Sequence, residues 1–170
     1  MPCVLVSIGS NIERYRHISA GLDALAEFFG ALQLSRVYES EAVGFDGSNF
    51  LNMVAAFDTD MALEDVSSCL KQIEDNNGRV RGGPKFAART LDIDILTYDD
   101  LAGSFAGISL PRDEITKNAF VLLPLSEVAP EGVHPSLGLS YLTMWQEYSG
   151  NQKLWPVPFD WNGLSISSAE

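Results

Sequence analysis

The sequence predicts an α+β fold: elements in the order β-α-β-β-α-β, an antiparallel sheet with both helices on one face, and a C-terminal extension. Three observations carry this. Four short, β-rich apolar runs open at Cys3, Leu32, Phe50 and Leu91. Two stretches, around Ile18 to Phe29 and Leu63 to Asn76, place apolar residues at helical spacing instead. The first helix separates the first two strands and the second helix separates the last two, whereas the middle strands are joined by a polar loop.

Taken in order, Cys3 to Ile8 is a buried strand, closed by Gly9-Ser10-Asn11. Ser10 and Asn11 are both favourable helix N-caps, and Glu13 suits an acidic first turn. Ile18, Leu22, Leu25, Ala26 and Phe29 form the apolar stripe of a helix for which Gly30 supplies the C-cap. Leu32 to Tyr38 alternates as a second strand. Residues 39–49 are a loop with Gly44, Asp46, Gly47 and Ser48, and Phe50 to Phe57 is the third strand. Leu63, Val66, Leu70 and Ile73 line one face of the second helix, Leu63 to Asn76. Leu91 to Tyr98 is the fourth strand. This order is that of the split βαβ, or ferredoxin-like, unit.

From about residue 99 the pattern becomes an irregular extension. Ala119 to Leu125 is an apolar run broken by Pro124, and Leu139 to Tyr148 is a candidate helix. From about 150 an extended tail with Trp155, Pro156, Pro158, Phe159 and Trp161 is expected on the surface, ending in disorder over 165–170. One domain, 1–170, is the natural division for this length.

The chain carries 11 basic and 23 acidic residues, a formal charge of −12. So acidic a protein is a poor nucleic-acid binder by bulk electrostatics. No apolar run approaches membrane-spanning length, and no leader pattern precedes the first strand, which favours a cytoplasmic location. Cys3 and Cys69 read as two buried thiols in a reducing compartment. His17 and His134 read as solvent-facing.

The few cations are concentrated. Arg79, Arg81, Lys85 and Arg89 fall in one acid-free stretch, 78–90, which runs into Leu91-Asp92-Ile93-Asp94-Ile95. Side chains at i and i+2 of a strand share a face, so Asp92 and Asp94 look out together while Leu91, Ile93 and Ile95 face a core. Two ionised carboxylates side by side repel unless a cation joins them. Hard oxygen ligands favour magnesium, held by one or two carboxylates and substrate phosphates. A basic loop leading into this strand therefore reads as a magnesium–nucleotide site. The bland alternatives are a solvated edge strand and a solvated loop.

Four stretches then name a family. They are Ile8-Gly9-Ser10-Asn11, Phe50-Leu51-Asn52, Gly78-Arg79-Val80-Arg81 and Arg89-Thr90-Leu91-Asp92-Ile93-Asp94, with a looser fifth over Phe120 to Pro130. With these, the chain resembles 6-hydroxymethyl-7,8-dihydropterin pyrophosphokinase over roughly residues 3–130. The resemblance implies transfer of a pyrophosphoryl group from ATP, the co-substrate, to the pterin hydroxymethyl group, with AMP as the other product. It implies two magnesium ions on Asp92 and Asp94, with Arg79 and Arg89 joining them as catalytic residues. It places Lys71, Glu74, Arg81, Arg89 and Ile95 on the ATP side, where Arg112 is expected to join them. It places Gly9, Val43, Phe50, Asn52 and Phe120 on the pterin side, the two phenylalanines stacking on the ring and Asn52 reading its edge.

The chain departs from the family pattern at Arg112, where a histidine is usual after the proline, and at Asn118, where an arginine is usual. Arg112 keeps a cation near the phosphates, and Asn118 removes one. Two readings of these departures stand beside the main one: a paralogue acting on another heterocyclic alcohol, and a catalytically silent pterin- or nucleotide-binding module. The expected partners are small molecules, with no nucleic acid and no membrane, for a monomer or weak homodimer.

Overall fold

A computed structural model describes residues 1–41, 48–78 and 90–170. Its central sheet joins β1 (Cys3–Ser10), β2 (Gln33–Leu34), β3 (Val37–Ser40), β4 (Phe50–Asp58), β5 (Asp92–Tyr98) and β8 (Leu154–Val157). The strand order is β5-β1-β4-β3-β8, with β2 also on β4, and every pairing is antiparallel. The first four sequence-predicted strands and two helices are thus present, in the ferredoxin-like arrangement.

Helices α1 (Arg14–Phe29) and α2 (Leu63–Asn76) cover one face, here called inner. Strand alternation explains why. Val4, Val6 and Ile8 of β1, Leu51, Met53, Ala55 and Phe57 of β4, and Ile93 and Ile95 of β5 meet Ile18, Leu22 and Leu25 of α1 and Val66, Leu70 and Ile73 of α2 in one core. The outer face has a second, smaller core. There Leu5, Val54, Ala56 and Leu96 pack beneath α3 (Glu114–Lys117), α4 (Ala119–Val128) and α5 (Tyr141–Gln146), through Ile115, Val121, Leu122, Leu125, Tyr141 and Met144.

Several expectations are corrected. Ser10 and Asn11 do not cap α1. Its N-cap is Glu13, in a left-handed conformation (φ 43°), and Asn11 instead donates Nδ2 to Ser48 O at 3.2 Å. The expected second strand is broken at Ser35-Arg36 into β2 and β3. At Ser35 the hydroxyl accepts from Val54 N at 2.9 Å, replacing a backbone carbonyl of the ladder. Residues after 99 are more regular than their sequence suggests. They form a hairpin of β6 (Gly103–Phe105) and β7 (Ile108–Leu110), three helices with Pro124 inside α4, and the edge strand β8. The tail ends as a second hairpin, β9 (Phe159–Trp161) with β10 (Leu164–Ser167). Its Phe159 is buried and stacks on Tyr15 at 5.4 Å. Ser167, expected in a disordered end, is buried, and its hydroxyl donates to Val157 O at 2.6 Å.

Both histidines are buried rather than solvent-facing. His134 Nδ1 accepts from Ser136 N and Leu137 N and closes a turn, and burial holds its pKa below the usual value. Cys3 is exposed and Cys69 half-buried, so neither is the buried thiol expected. Among the described residues no helix is long and apolar enough to cross a membrane.

Candidate active site

The site lies on the outer face of the sheet, beyond the core beneath α4. Register builds it rung by rung. Asp94 of β5 pairs with Ser7 of β1, which pairs with Val54 of β4. Two residues further along the strands, Asp92 pairs with Gly9, Gly9 with Asn52, and Asn52 with Tyr38. The next rung pairs Phe50 with Ser40. Because side chains alternate, Asp92, Asp94, Ser7, Gly9, Asn52 and Phe50 share one surface. Residues far apart in sequence are brought together by register alone.

Gly9 is the floor of the side where the sequence resemblance puts the pterin. A Cβ there would lie 3.5 Å from Asn52 Oδ1 and 3.8 Å from a ring carbon of Phe50. The missing side chain therefore leaves space directly over both. Asn52 is buried, and its Nδ2 donates to Ser40 Oγ at 2.7 Å, which fixes the amide's orientation. Phe50 is half-buried at the start of β4, and Phe120 is half-buried in the first turn of α4. Val43 lies outside the described residues.

On the other side, β5 is an edge strand, and its outward N–H groups need partners. Glu74 of α2, itself buried, accepts from Ile93 N at 2.8 Å. Glu74 was expected on the nucleotide side. The structure makes it a buttress beneath the strand segment that holds both aspartates. Lys71 is exposed on the same helix. Ile95, also expected on the ATP side, points its side chain into the inner core. Arg79, Arg81 and Arg89 lie outside the described residues.

Asp94 is where the electrostatics concentrate. Burial, and next the charge of Asp92, push its carboxyl up to about 7 from the usual 3.8; Arg112 pulls it down, and Glu114 and Glu74 add to the rise. Arg112 Nη2 stands 3.2 Å from Asp94 Oδ1, and its Nε 3.6 Å from Glu114 Oε1. The expected phosphate-side cation is thus in contact with an expected metal ligand. A half-buried carboxylate beside a second one has an electrostatic need for a cation, which fits a hard divalent ion. Among the described residues no group of three or more His, Cys, Asp or Glu side chains could hold a metal. Two carboxylates suit magnesium, which keeps waters and takes the rest of its shell from substrate phosphates.

Sequence reasoning missed Ser7, Ser40, Glu114 and Gln152. Ser7 is readable, since it breaks the apolar run Cys3 to Ile8 and alternates with Gly9. The others were not, because their roles come from tertiary contacts. Gln152 follows α5 and reaches back to α4. Its Oε1 accepts from Ala119 N at 2.7 Å, and its Nε2 donates to Asn118 Oδ1 at 2.9 Å. Asn118, read from sequence as a lost cation, is the docking point of the C-terminal segment, two residues before Phe120.

A sequence model of 7,8-dihydro-6-hydroxymethylpterin-pyrophosphokinase matches residues 5–130. The chain is 34% identical over 137 residues to the 2-amino-4-hydroxy-6-hydroxymethyldihydropteridine pyrophosphokinase of Aquifex aeolicus, covering 79% of this chain and 85% of that one. It is 36% identical over 132 residues to the protein of the same name from Pseudomonas aeruginosa, covering 75% and 81%. Among solved structures, wild-type HPPK-DHPS of Plasmodium falciparum superposes with a TM-score of 0.71 at 13% identity, over 98% of this chain and 50% of that one. A triple mutant of the same protein gives 0.70 at 14%, over 86% and 44%. The chain thus spans about half the length of those solved proteins, and that likeness is one of fold.

Proposed function

Since the chain belongs to the 7,8-dihydro-6-hydroxymethylpterin-pyrophosphokinase family, we infer that it transfers pyrophosphate from ATP to 6-hydroxymethyl-7,8-dihydropterin, a step of folate biosynthesis, and releases AMP. One observation supports locating this reaction on the outer face. Asp92 is the cross-strand partner of Gly9, and Asn52 is the partner of Gly9 on the far side of β1, so the two substrates would meet edge to edge across that strand.

In this reading Phe50 and Phe120 stack on the pterin, and Asn52, held by Ser40, reads its edge. The hydroxymethyl oxygen attacks the β-phosphorus, the bond to the α-phosphate oxygen breaks, and AMP leaves. Asp92 and Asp94 would hold magnesium, two ions by the family resemblance, which when bound would neutralise phosphate charge. Arg79, Arg81, Arg89 and Arg112 gather the triphosphate, for which a planar guanidinium is suited. With little covalent chemistry for the protein to do, catalysis is positioning and charge neutralisation. The whole chain, C-terminal extension included, serves as one catalytic unit, acting in the cytoplasm as a monomer or weak homodimer on small molecules only.

The test is AMP release from MgATP with and without the hydroxymethyl dihydropterin. AMP formed only when the pterin is present, in step with the pterin diphosphate, is the expected result. Binding of both ligands without AMP would indicate a silent module. AMP formation with a different heterocyclic alcohol, and none with this pterin, would indicate another acceptor.

A further inference from the structure

Arg112 stands where the chain departs from its family's pattern, and its surroundings are specific. Its backbone N–H donates to Leu96 O at 2.9 Å, so the main chain is tied alongside β5 whatever the side chain does. The guanidinium has two carboxylate seats, Asp94 at 3.2 Å and Glu114 at 3.6 Å. All three side chains are partly exposed, at 35% for Arg112, 25% for Asp94 and 37% for Glu114. A guanidinium so placed can change partners without a charge being stranded in the interior. It carries five donors and needs two acceptors at least to use them well.

A divalent ion and a guanidinium cannot both use the same oxygen of Asp94 without strong mutual repulsion. We propose that Arg112 is an exchangeable counter-ion of the metal centre, bridging Asp94 and Glu114 while no divalent cation is bound, and releasing Asp94 for the nucleotide phosphates, with Glu114 kept, when one arrives. Glu114, two residues beyond, is the seat that makes release inexpensive. The triphosphate then compensates the displaced positive charge. Divalent metal alone is therefore held weakly, and metal delivered with nucleotide is held well. Arg112 is a positioning residue in this role, and its effect is a coupling between two ligands. The proposal rests on the reading of Asp92 and Asp94 as the metal ligands.

The test measures binding of Mn2+ alone, by the electron paramagnetic resonance signal of the free ion, at pH 8. The proteins are wild type, Arg112→Gln and Asp94→Asn, each shown to be folded by its melting curve. The titrations are repeated with a saturating nonhydrolysable ATP analogue. Removing the competing cation should tighten binding of Mn2+ alone by roughly tenfold, the scale of one nearby charge in a partly screened site. With the analogue present, that advantage should vanish or reverse. Unchanged or weaker Mn2+ binding by Arg112→Gln, while Asp94→Asn loses the ion, overturns the exchange and leaves the metal site standing. The same gain with and without the analogue also overturns it, since Arg112 would then merely repel. Mn2+ binding by Asp94→Asn equal to wild type overturns the metal assignment, and the proposal with it.

Discussion

On the inner face of the sheet, β1 runs Val4, Val6, Ile8 and β4 runs Phe57, Ala55, Met53, Leu51, apolar from end to end beneath α1 and α2. On the outer face the same strands run Leu5, Ser7, Gly9 and Ala56, Val54, Asn52, Phe50, while β5 runs Leu96, Asp94, Asp92. One face is uniform and is a core. The other changes character along its length, and its apolar end is the part packed beneath α4. Strand alternation decides which residues look outward. The polarity gradient along each strand decides where cover ends and the candidate site begins.

The largest effect that would sharpen this contrast is at the polar end. Asp94→Ala should lower AMP formation by roughly 10³-fold, as expected for losing a main source of transition-state charge stabilisation. Its thermal melt should be no lower than wild type, since a half-buried repelling charge has gone. Near-normal turnover would break the assignment. On the uniform face the opposite holds. Leu22, fully buried in the inner core, should cost about 2–5 kcal/mol as Leu22→Ala, measured by denaturant unfolding, with turnover per folded molecule unchanged.

Asn52→Ala should act on one substrate only. It removes the partner of Ser40 Oγ and the amide proposed to read the pterin, a loss of about 1–3 kcal/mol. Steady-state kinetics should show this as a higher KM for pterin with the KM for ATP unmoved. Equal changes in both would mean a general distortion.

The pH dependence follows from Asp94, whose carboxyl sits at about 7 in the folded protein against an ordinary 3.8. Between these values the folded chain keeps a proton that the unfolded chain has lost. Stability of the metal-free protein therefore falls as pH rises through this window. Asp94→Asn should match wild type below pH 4 and become the more stable of the two by pH 8, and a constant difference would contradict the account. Metal affinity should move the other way, rising as the proton leaves. The smallest effect is at Gln152, whose contact with Ala119 N serves as an N-cap for α4. Gln152→Ala should cost about 1 kcal/mol of stability, seen as a small drop in melting temperature, with a modest rise in the pterin KM through Phe120.

The parts of the fold that were readable are those with local periodicity. Helix α2 falls where the spacing of Leu63, Val66, Leu70 and Ile73 puts it, and β1, β4 and β5 begin within a residue of their predicted starts. The break at Ser35 was not readable, because it depends on a hydroxyl replacing a carbonyl across the sheet. Nor was β8. Its pairing of Val157 with Val37 and Pro156 with Tyr38 spans most of the chain and leaves no trace in local pattern, and proline is tolerated there because the strand is an edge. Of the candidate site, the outward pairing of Asp92 and Asp94 is legible from spacing, while Gly9, Phe50 and Asn52 are proposed from resemblance. Arg112 was legible as a charge but not as the partner of Asp94. Asn118 was legible only as an absence, until Gln152 gave it a contact.

The central claim is that pterin binds on the polar end of the outer face, beside the paired aspartates. Calorimetric titration of the hydroxymethyl dihydropterin into protein saturated with magnesium and a nonhydrolysable ATP analogue tests it most directly. One pterin per chain is expected for wild type and for Leu22→Ala, and binding weakened about tenfold in Asn52→Ala, the effect of about 1.4 kcal/mol. Undiminished pterin binding by a folded Asn52→Ala would place the acceptor elsewhere on the molecule and contradict it.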